Sequence, residues 1–262
     1  MPSDSTNPAQ TRARIRLRQV ATERPWVWLS LGWQDLMAQK SVGLAYGGAL
    51  AVLGWVLAWV MLQLGLAWAI LPAVAGFFML APLAAAGLYE VSRRREQGLD
   101  TGLDEALAAF HRNGGQIALM GVVLLLINLV WVRIAGLLFA LFFGLNFAPS
   151  LVELPLRLLQ AEAFLPFFIM GTGFGALLAA GSFAVSVISI PMLVDRDVSV
   201  LEAVSVSLRV VRENPRAMAL WAGLIVVFTG LALVPFFLGL VIAMPLIGHA
   251  SWHAYRDLVE VS

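Results

Sequence analysis

Apolar and polar positions fall in long blocks along this chain, and the order of blocks recurs: a short mixed segment, two long apolar runs, then charge again. Residues 41–64 and 66–89 are apolar throughout, and at about 1.5 Å rise per residue each can cross a hydrocarbon core of about 30 Å. Only a few residues around Gln63 and Gly65 separate them, which predicts a tight hairpin. Charge returns over 90–115. Residues 116–147 form a third run, longer than a bilayer needs, so it should tilt, project or bend near Gly136. The polar interlude 149–163 carries Leu151, Leu154, Leu158 and Leu159 and reads as an external interfacial helix, broken or started at Pro155. Residues 164–194 make the fourth run, 195–216 a charged loop, and 217–234 with 236–255 a last hairpin around Pro235. The pattern predicts an all-α integral membrane protein with six transmembrane helices as three hairpins, in one domain over 25–262.

The mixed segments have their own period. Leu29, Trp33, Leu36 and Lys40 lie at helical spacing, as do Leu103, Leu107 and Phe110, and again Leu201, Val204, Leu208 and Val211. Each hairpin is therefore preceded by a cytoplasmic amphipathic helix lying in the headgroup layer. Aligning Gln39, Asn113 and Asn214 superposes Trp33, Leu107 and Leu208, then Leu36, Phe110 and Val211, then Tyr46, Met120 and Trp221. The even-numbered spans align on Pro82, Pro191 and Pro245, which brings Tyr89 onto Trp252, Glu90 onto His253 and Asp195 onto His249. A threefold internal repeat is the expectation.

Composition makes lipid the solvent. Of 262 residues 60% are hydrophobic and 13% charged, with a mean hydropathy of +0.86; soluble domains carry about 25% charge. A net charge of +1 says little about partners, but its distribution says much. Of 17 Lys and Arg, only Arg157 lies in an outer loop and only Arg133 within a span. The rest share the side of the N-terminus, which by the positive-inside rule puts both termini in the cytoplasm. Residues 1–24, with Arg12, Arg14, Arg16, Arg18 and Arg24, read as a disordered basic cytoplasmic tail drawn to anionic lipid headgroups. The first apolar run starts too late for a cleavable signal peptide. With no cysteine, disulfides, thiolate metal sites and cysteine catalysis are excluded.

Candidate chemistry gathers at the helix exits. His249 and His253 stand i and i+4 on one face and could present two nitrogens to a metal or haem iron, with Glu90, Asp195 or His111 completing the set. The competing reading is a pair of hydrated or locally bonded histidines, with no metal and no cofactor. Glu90, Asp195 and Asp257, interleaved with Arg93, Arg196 and Arg256, suggest a cytoplasmic polar collar, or the vestibule of a path between the hairpins. Trp26, Trp28, Trp33, Arg133 and Trp252 are expected as membrane-interface anchors, Arg133 by snorkelling to the outer headgroups. Pro245 should kink its helix, turning His249 and His253 inward and Trp252 outward. Asn128 should bond across helices, and Gly171, Gly173, Gly175 and Gly181 with Ser182, Ser186 and Ser189 should let span four pack closely.

The stretches PLIGHASWHAYRDLV and PWVWLSLGWQDL resemble a bacterial family of integral membrane proteins catalogued as domain of unknown function 2189, some of whose members carry a cytochrome c oxidase subunit label. The resemblance covers nearly all of the chain after about residue 20 and implies a six-span inner-membrane protein; it transfers no activity and no site residues. The oxidase label does not fit, because a haem–copper subunit needs many histidines within its spans, and the three here lie near one surface. No catalytic motif is present, so the expectation is a non-enzymatic accessory, assembly or scaffold protein of a larger membrane complex, with no nucleic acid as partner. The alternative is a small channel or transporter with its path between the hairpins. Transport needs polar groups along a bundle interior, and this chain concentrates them at one surface.

Overall fold

In the computed structural model the described residues are 15–144 and 153–261, and they are helical apart from one two-stranded ribbon. In chain order the elements are β1 (Ile15–Leu17), α1 (Arg24–Ala38), α2 (Lys40–Gln63), a 3-10 turn (Ala67–Ala69), α3 (Ile70–Ala84), α4 (Ala86–Glu96) and α5 (Leu103–Arg112). They continue with α6 (Gly114–Phe143), α7 (Leu154–Gln160), α8 (Phe164–Ser186), α9 (Ser189–Asp195), α10 (Val200–Glu213), α11 (Pro215–Leu233), α12 (Leu240–Leu258) and β2 (Val259–Val261). Among the described residues five helical stretches are long and apolar enough to cross a membrane: Lys40–Gln63, Pro72–Glu96, Gly114–Phe143, Phe164–Asp195 and Pro215–Leu233. The sixth run expected from sequence is α12, whose charged second half keeps it out of that set. The interfacial helix expected over 149–163 is described from residue 153 on, as α7; its first part and the tail residues 1–14 lie outside the described residues.

The short helices carry ordinary end chemistry. Asp104 and Glu105 open α5, and His111 and Arg112 close it, each sign complementing the helix dipole. Ser199 caps α10 by accepting a hydrogen bond from the Glu202 amide at 3.2 Å. One non-helical residue joins each short helix to the long one after it. Its φ and ψ are −125° and 46° at Gln39, −127° and 44° at Asn113, and −127° and 49° at Asn214. The same elbow thus turns the chain from α1 to α2, from α5 to α6 and from α10 to α11. At the far end of α2 the hairpin turn uses Gly65 at φ +70°, a conformation that suits glycine.

The returning spans differ among themselves. The pair α3 and α4 is broken at Ala85, and α8 and α9 at Val187 and Ile188, whereas α12 runs unbroken through Pro245. Pro82 therefore precedes its break, Pro191 follows its break, and Pro245 has none. The three prolines are not structural equivalents, contrary to the alignment made on them, because each meets a different part of its helix.

The ends of these spans, α4, α9 and α12, pack on one another and form the centre of the molecule. Around them α1 packs on α12, α5 on α4, and α10 on α9. Each short helix presents a small residue at the same place, seven before its elbow: Gly32, Ala106 and Ser207. A Cβ on Gly32 would lie 2.6 Å from the Ala250 nitrogen, and one on Gly87 would lie 3.0 Å from the Ala106 carbonyl. Ser207 donates to the Ala184 carbonyl at 2.7 Å, beside the break between α8 and α9. Among the long helices, α2 packs on α12 and α6 on α3, while α11 and α8 scarcely touch.

Residues 15–24 correct the expectation of a disordered tail to residue 24. Ile15, Arg16 and Leu17 pair antiparallel with Val261, Glu260 and Val259. Their alternation of apolar and basic side chains is that of a strand with one buried face; Ile15, Leu17 and Val20 pack against the core. Asn214 then clamps the segment, accepting from the Val20 amide at 2.9 Å and donating to the Arg18 carbonyl at 3.1 Å.

Candidate functional site

The polar side chains collect at the end of the bundle where the two termini meet, and Asp35 of α1 is their hub. It is buried, and its Oδ2 accepts from Ser92 Oγ at 2.5 Å and from His253 Nε2 at 2.9 Å; its Oδ1 pairs with Arg95. Burial alone would raise this carboxyl, but the hydrogen bonds from His253 and Ser92, with the charges of the two histidines, hold it below the ordinary carboxylate range. Ser92 Oγ also lies 2.8 Å from Nδ1 of His249. His249 is fully buried, and its Nε2 has no hydrogen-bond partner among the described residues.

Three further groups surround this hub. Glu90 is gripped by Arg93 through two 2.7 Å bonds and by Arg94 at 3.1 Å. Asp195 accepts from the Tyr255 hydroxyl at 2.7 Å and pairs with Arg196 at 3.3 Å; Arg256 stands 3.9 Å from it and 3.2 Å from Glu96. Asp257 binds Arg24 at 2.5 Å and accepts from the Trp28 ring nitrogen at 2.9 Å, with Arg18 at 3.9 Å. The Arg24 guanidinium, hydrogen-bonded to that carboxylate and attracted by its charge, is raised above its ordinary value.

Several expectations change here. The two histidines do turn inward, but towards Ser92 and Asp35. Glu90 and Asp195 are engaged with arginines and a tyrosine, and His111 is exposed on α5. Among the described residues no group of three or more His, Cys, Asp or Glu is arranged to hold a metal ion. Trp28 and Trp252, expected at the membrane interface, are each 0% exposed. Trp28 faces α12 and meets Trp221 edge-on at 5.8 Å. Trp252 has no outward direction available, because α1, α2, α4, α9 and α11 surround α12. Trp26 and Trp33 do point outward, and Arg133 is exposed on α6. Asn128 Oδ1 accepts no hydrogen bond among the described residues and faces Gly76 of α3.

Asp35, Ser92, Arg95, Glu96 and Tyr255 were missed as site residues. One signal was available: Trp28, Gly32, Asp35 and Leu36 stand at i, i+4, i+7 and i+8, a single stripe on which only the aspartate is charged. Ser92, His249 and Asp35 have the composition of a nucleophile relay without its connectivity. In such a relay the carboxylate binds the far nitrogen of the imidazole; here it binds the serine, and the far nitrogen has no carboxylate partner among the described residues. All three are buried.

Towards the opposite end lies a cavity of about 930 Å³ between α3, α6, α8, α11 and α12. Its walls are almost wholly apolar, with the hydroxyls of Tyr89, Ser186, Ser251, Thr172 and Thr229 the polar exceptions. Gly171 of α8 faces open space there, whereas a Cβ on Gly175 would lie 3.2 Å from the Trp131 ring of α6 and Ser182 donates to the Met79 carbonyl of α3 at 3.2 Å, so the small-residue stripe packs on helices along only part of its length.

A helical bundle with five apolar stretches of spanning length among the described residues, and with most of its ion pairs gathered at one end, is an integral membrane protein. Residues 70–195 match the family described as Predicted integral membrane protein (DUF2189). That match runs from α3 to α9 and lies outside both sequence stretches that suggested the family. No curated protein and no solved structure matches the chain.

Proposed function

We propose that this chain is a six-span, non-enzymatic accessory or scaffold protein of the bacterial inner membrane, built of three related copies and docking within a larger membrane complex. Parity supports the sixth crossing. The ribbon between β1 and β2 and the Arg24–Asp257 pair hold the two ends of the chain on one face. Five crossings would separate them, so α12, about 28 Å long at 1.5 Å per residue, makes the sixth. The arginine distribution supports assigning that face to the cytoplasm. The shared elbow at Gln39, Asn113 and Asn214, with a small residue seven positions before each, supports triplication.

Burial and pairing at the site carry the accessory reading. The collar carboxylates Glu90, Asp195 and Asp257, and Asp35 beside them, are each tied to a basic side chain at the closed end of the bundle. The centre between α4, α9 and α12 is filled by Leu88, Ile190, Leu193, Ala250 and Trp252, all buried. A hydrated path needs polar groups at membrane depth, and these contacts use them up at the surface. The short helices look outward with apolar side chains: Trp33, Leu107 and Leu208, one per copy, are 47%, 56% and 40% exposed. Such stripes suit a headgroup layer or a partner's membrane face. Purification in mild detergent should recover the protein with a stoichiometric membrane partner, and liposomes holding the protein alone should leak ions and small polar solutes no faster than empty ones. Flux well above that of empty liposomes would overturn the proposal in favour of a channel.

A further inference from the structure

We propose that the cavity between α8 and α11 is a lipid site, holding the two acyl chains of one diacyl phospholipid. In the cyclic arrangement α2 packs against α12 and α6 against α3, but α11 does not close on α8. The third seam is open, and the cavity of about 930 Å³ fills it.

The walls select the occupant. A space this apolar is not stably hydrated, since water there would lack its two to four polar partners. It runs along α8 from Phe167 to Ser186, about 28 Å at 1.5 Å per residue, which leaves a mean cross-section of about 33 Å². A partner helix, about 10 Å across with its side chains, needs more than twice that section. Taking a methylene group as roughly the size of a water molecule, about 30 Å³, the cavity holds on the order of thirty of them. That is two chains of about fifteen carbons, the hydrocarbon of one diacyl lipid.

The ends give the orientation. At the floor Ser186, Tyr89 and Ser251 are buried, and among the described residues no cation lines it to neutralise a phosphate. At the other end Phe168 is 55% exposed. The headgroup therefore sits at the open end near α7, with the chain ends running down to the floor.

The test compares lipid retained after extensive washing in mild detergent, by mass spectrometry of the organic extract. The protein should keep about one diacyl phospholipid per chain, and delipidated protein should take up added diacyl phosphatidylethanolamine. Gly171→Phe and Gly223→Phe fill the cavity from its two walls, at sites where a Cβ meets nothing within 4 Å. Each should cut retention at least fivefold. Gly48→Phe, equally open but on α2 outside the cavity, should retain lipid as the unsubstituted protein does. No retained lipid in the unsubstituted protein, equal retention in all variants, or an extract dominated by prenyl lipids would overturn the proposal. The inference rests on the cavity and not on the accessory reading, so a positive flux assay leaves it standing and a negative lipid assay leaves the accessory reading standing.

Discussion

Replacing Gly32 by alanine adds one carbon at the tightest point of the seam between α1 and α12. The new Cβ would stand 2.6 Å from the Ala250 nitrogen, 2.8 Å from the Leu246 carbonyl oxygen and 2.9 Å from the Ala250 Cα. All three are backbone atoms, so no side chain can swing aside. Ordinary contact begins near 3.5 Å, and the helices must part by about 1 Å. A gap of that size forfeits up to about half of the dispersion attraction across it. Two hydrogen bonds cross the same seam, Trp28 to Asp257 and His253 to Asp35, each 2.9 Å long. Stretched by 1 Å they fall outside bonding range. Overpacking costs about 1–3 kcal/mol and the hydrogen bonds about 1 kcal/mol each, against roughly 1 kcal/mol gained from alanine's helix propensity. The net loss is about 2–4 kcal/mol, which for a chain of this size lowers Tm by about 4–16 °C. Thermal melting in detergent, followed by tryptophan fluorescence, reads this directly. Gly47→Ala, whose Cβ would lie 2.5 Å from the Val241 carbonyl, should fall similarly, and Gly48→Ala, with nothing within 4 Å, should not. A Gly32→Ala protein as stable as the parent, or a Gly48→Ala protein equally weakened, would refute the close seam.

Other expectations concern the polar ring and the topology. Because the folded Asp35 carboxyl lies below its ordinary value near 3.9, its contribution is complete above that pH and is lost as pH falls through the folded value; Asp35→Asn should flatten the melting curve's pH dependence below about pH 4. At neutral pH Asp35→Asn removes the negative charge opposite Arg95 and His253 and leaves one acceptor oxygen in place of two; with Arg95 partly exposed it should cost about 2 kcal/mol, less than the 3–5 of a fully buried pair. His249→Gln gives up one hydrogen bond and should cost about 1 kcal/mol; elemental analysis checks the residual metal reading, since stoichiometric zinc, iron or copper lost in His249→Gln with His253→Gln would reverse it. Reporter fusions after Gln63, at Leu158 and at Pro235 should face outward and those after Arg95, Arg212 and Ser262 inward; any one inverted breaks the six-span topology.

How far the sequence could be read depends on which faces of each helix have neighbours. Apolar run length located every long helix, because lipid imposes length and apolarity on a span whatever its packing; the short helices were read by periodicity. It misjudged α1 because that helix has two apolar faces. Trp26 and Trp33 look outward, while Trp28 and Leu36 look inward, and an amphipathic pattern cannot tell a lipid surface from a protein core. Trp252 failed for a related reason: interface preference describes a tryptophan on a surface, and the face of α12 that carries Trp252 is enclosed by its neighbours. Pairing partners were beyond reach because Asp35 and His253 are more than 200 residues apart and meet only through tertiary packing. The elbows at Gln39, Asn113 and Asn214 were legible, since a single residue between a surface helix and a spanning helix must take a non-helical conformation and has few ways to do it.

The position of the polar ring follows from the chain's connectivity. If the three proposed copies form a ring, copies one and two, and two and three, are joined by peptide, and only the seam between α1 and α12 must close without it. Bringing those ends together across a chain of this length costs on the order of 5 kcal/mol by a loop-closure argument, an upper bound because the bilayer already confines the spans. That seam carries the β1–β2 ribbon, the Asp257 contacts with Arg24 and Trp28, and the Asp35–His253 bond. At about 1.5–3 kcal/mol for each hydrogen bond to a charged group, the three bonds together match the closure cost at the low end of that range and exceed it above. The seam between α8 and α11 is held covalently through the segment joining α9 to α10, and Asn113 also pins that segment by donating to the Arg196 and Val198 carbonyls. It can therefore stay open within the membrane without the ring coming apart. The polar contacts between the chain's two ends and the apolar cavity thus fall on different seams, one closing the ring and the other leaving room for lipid.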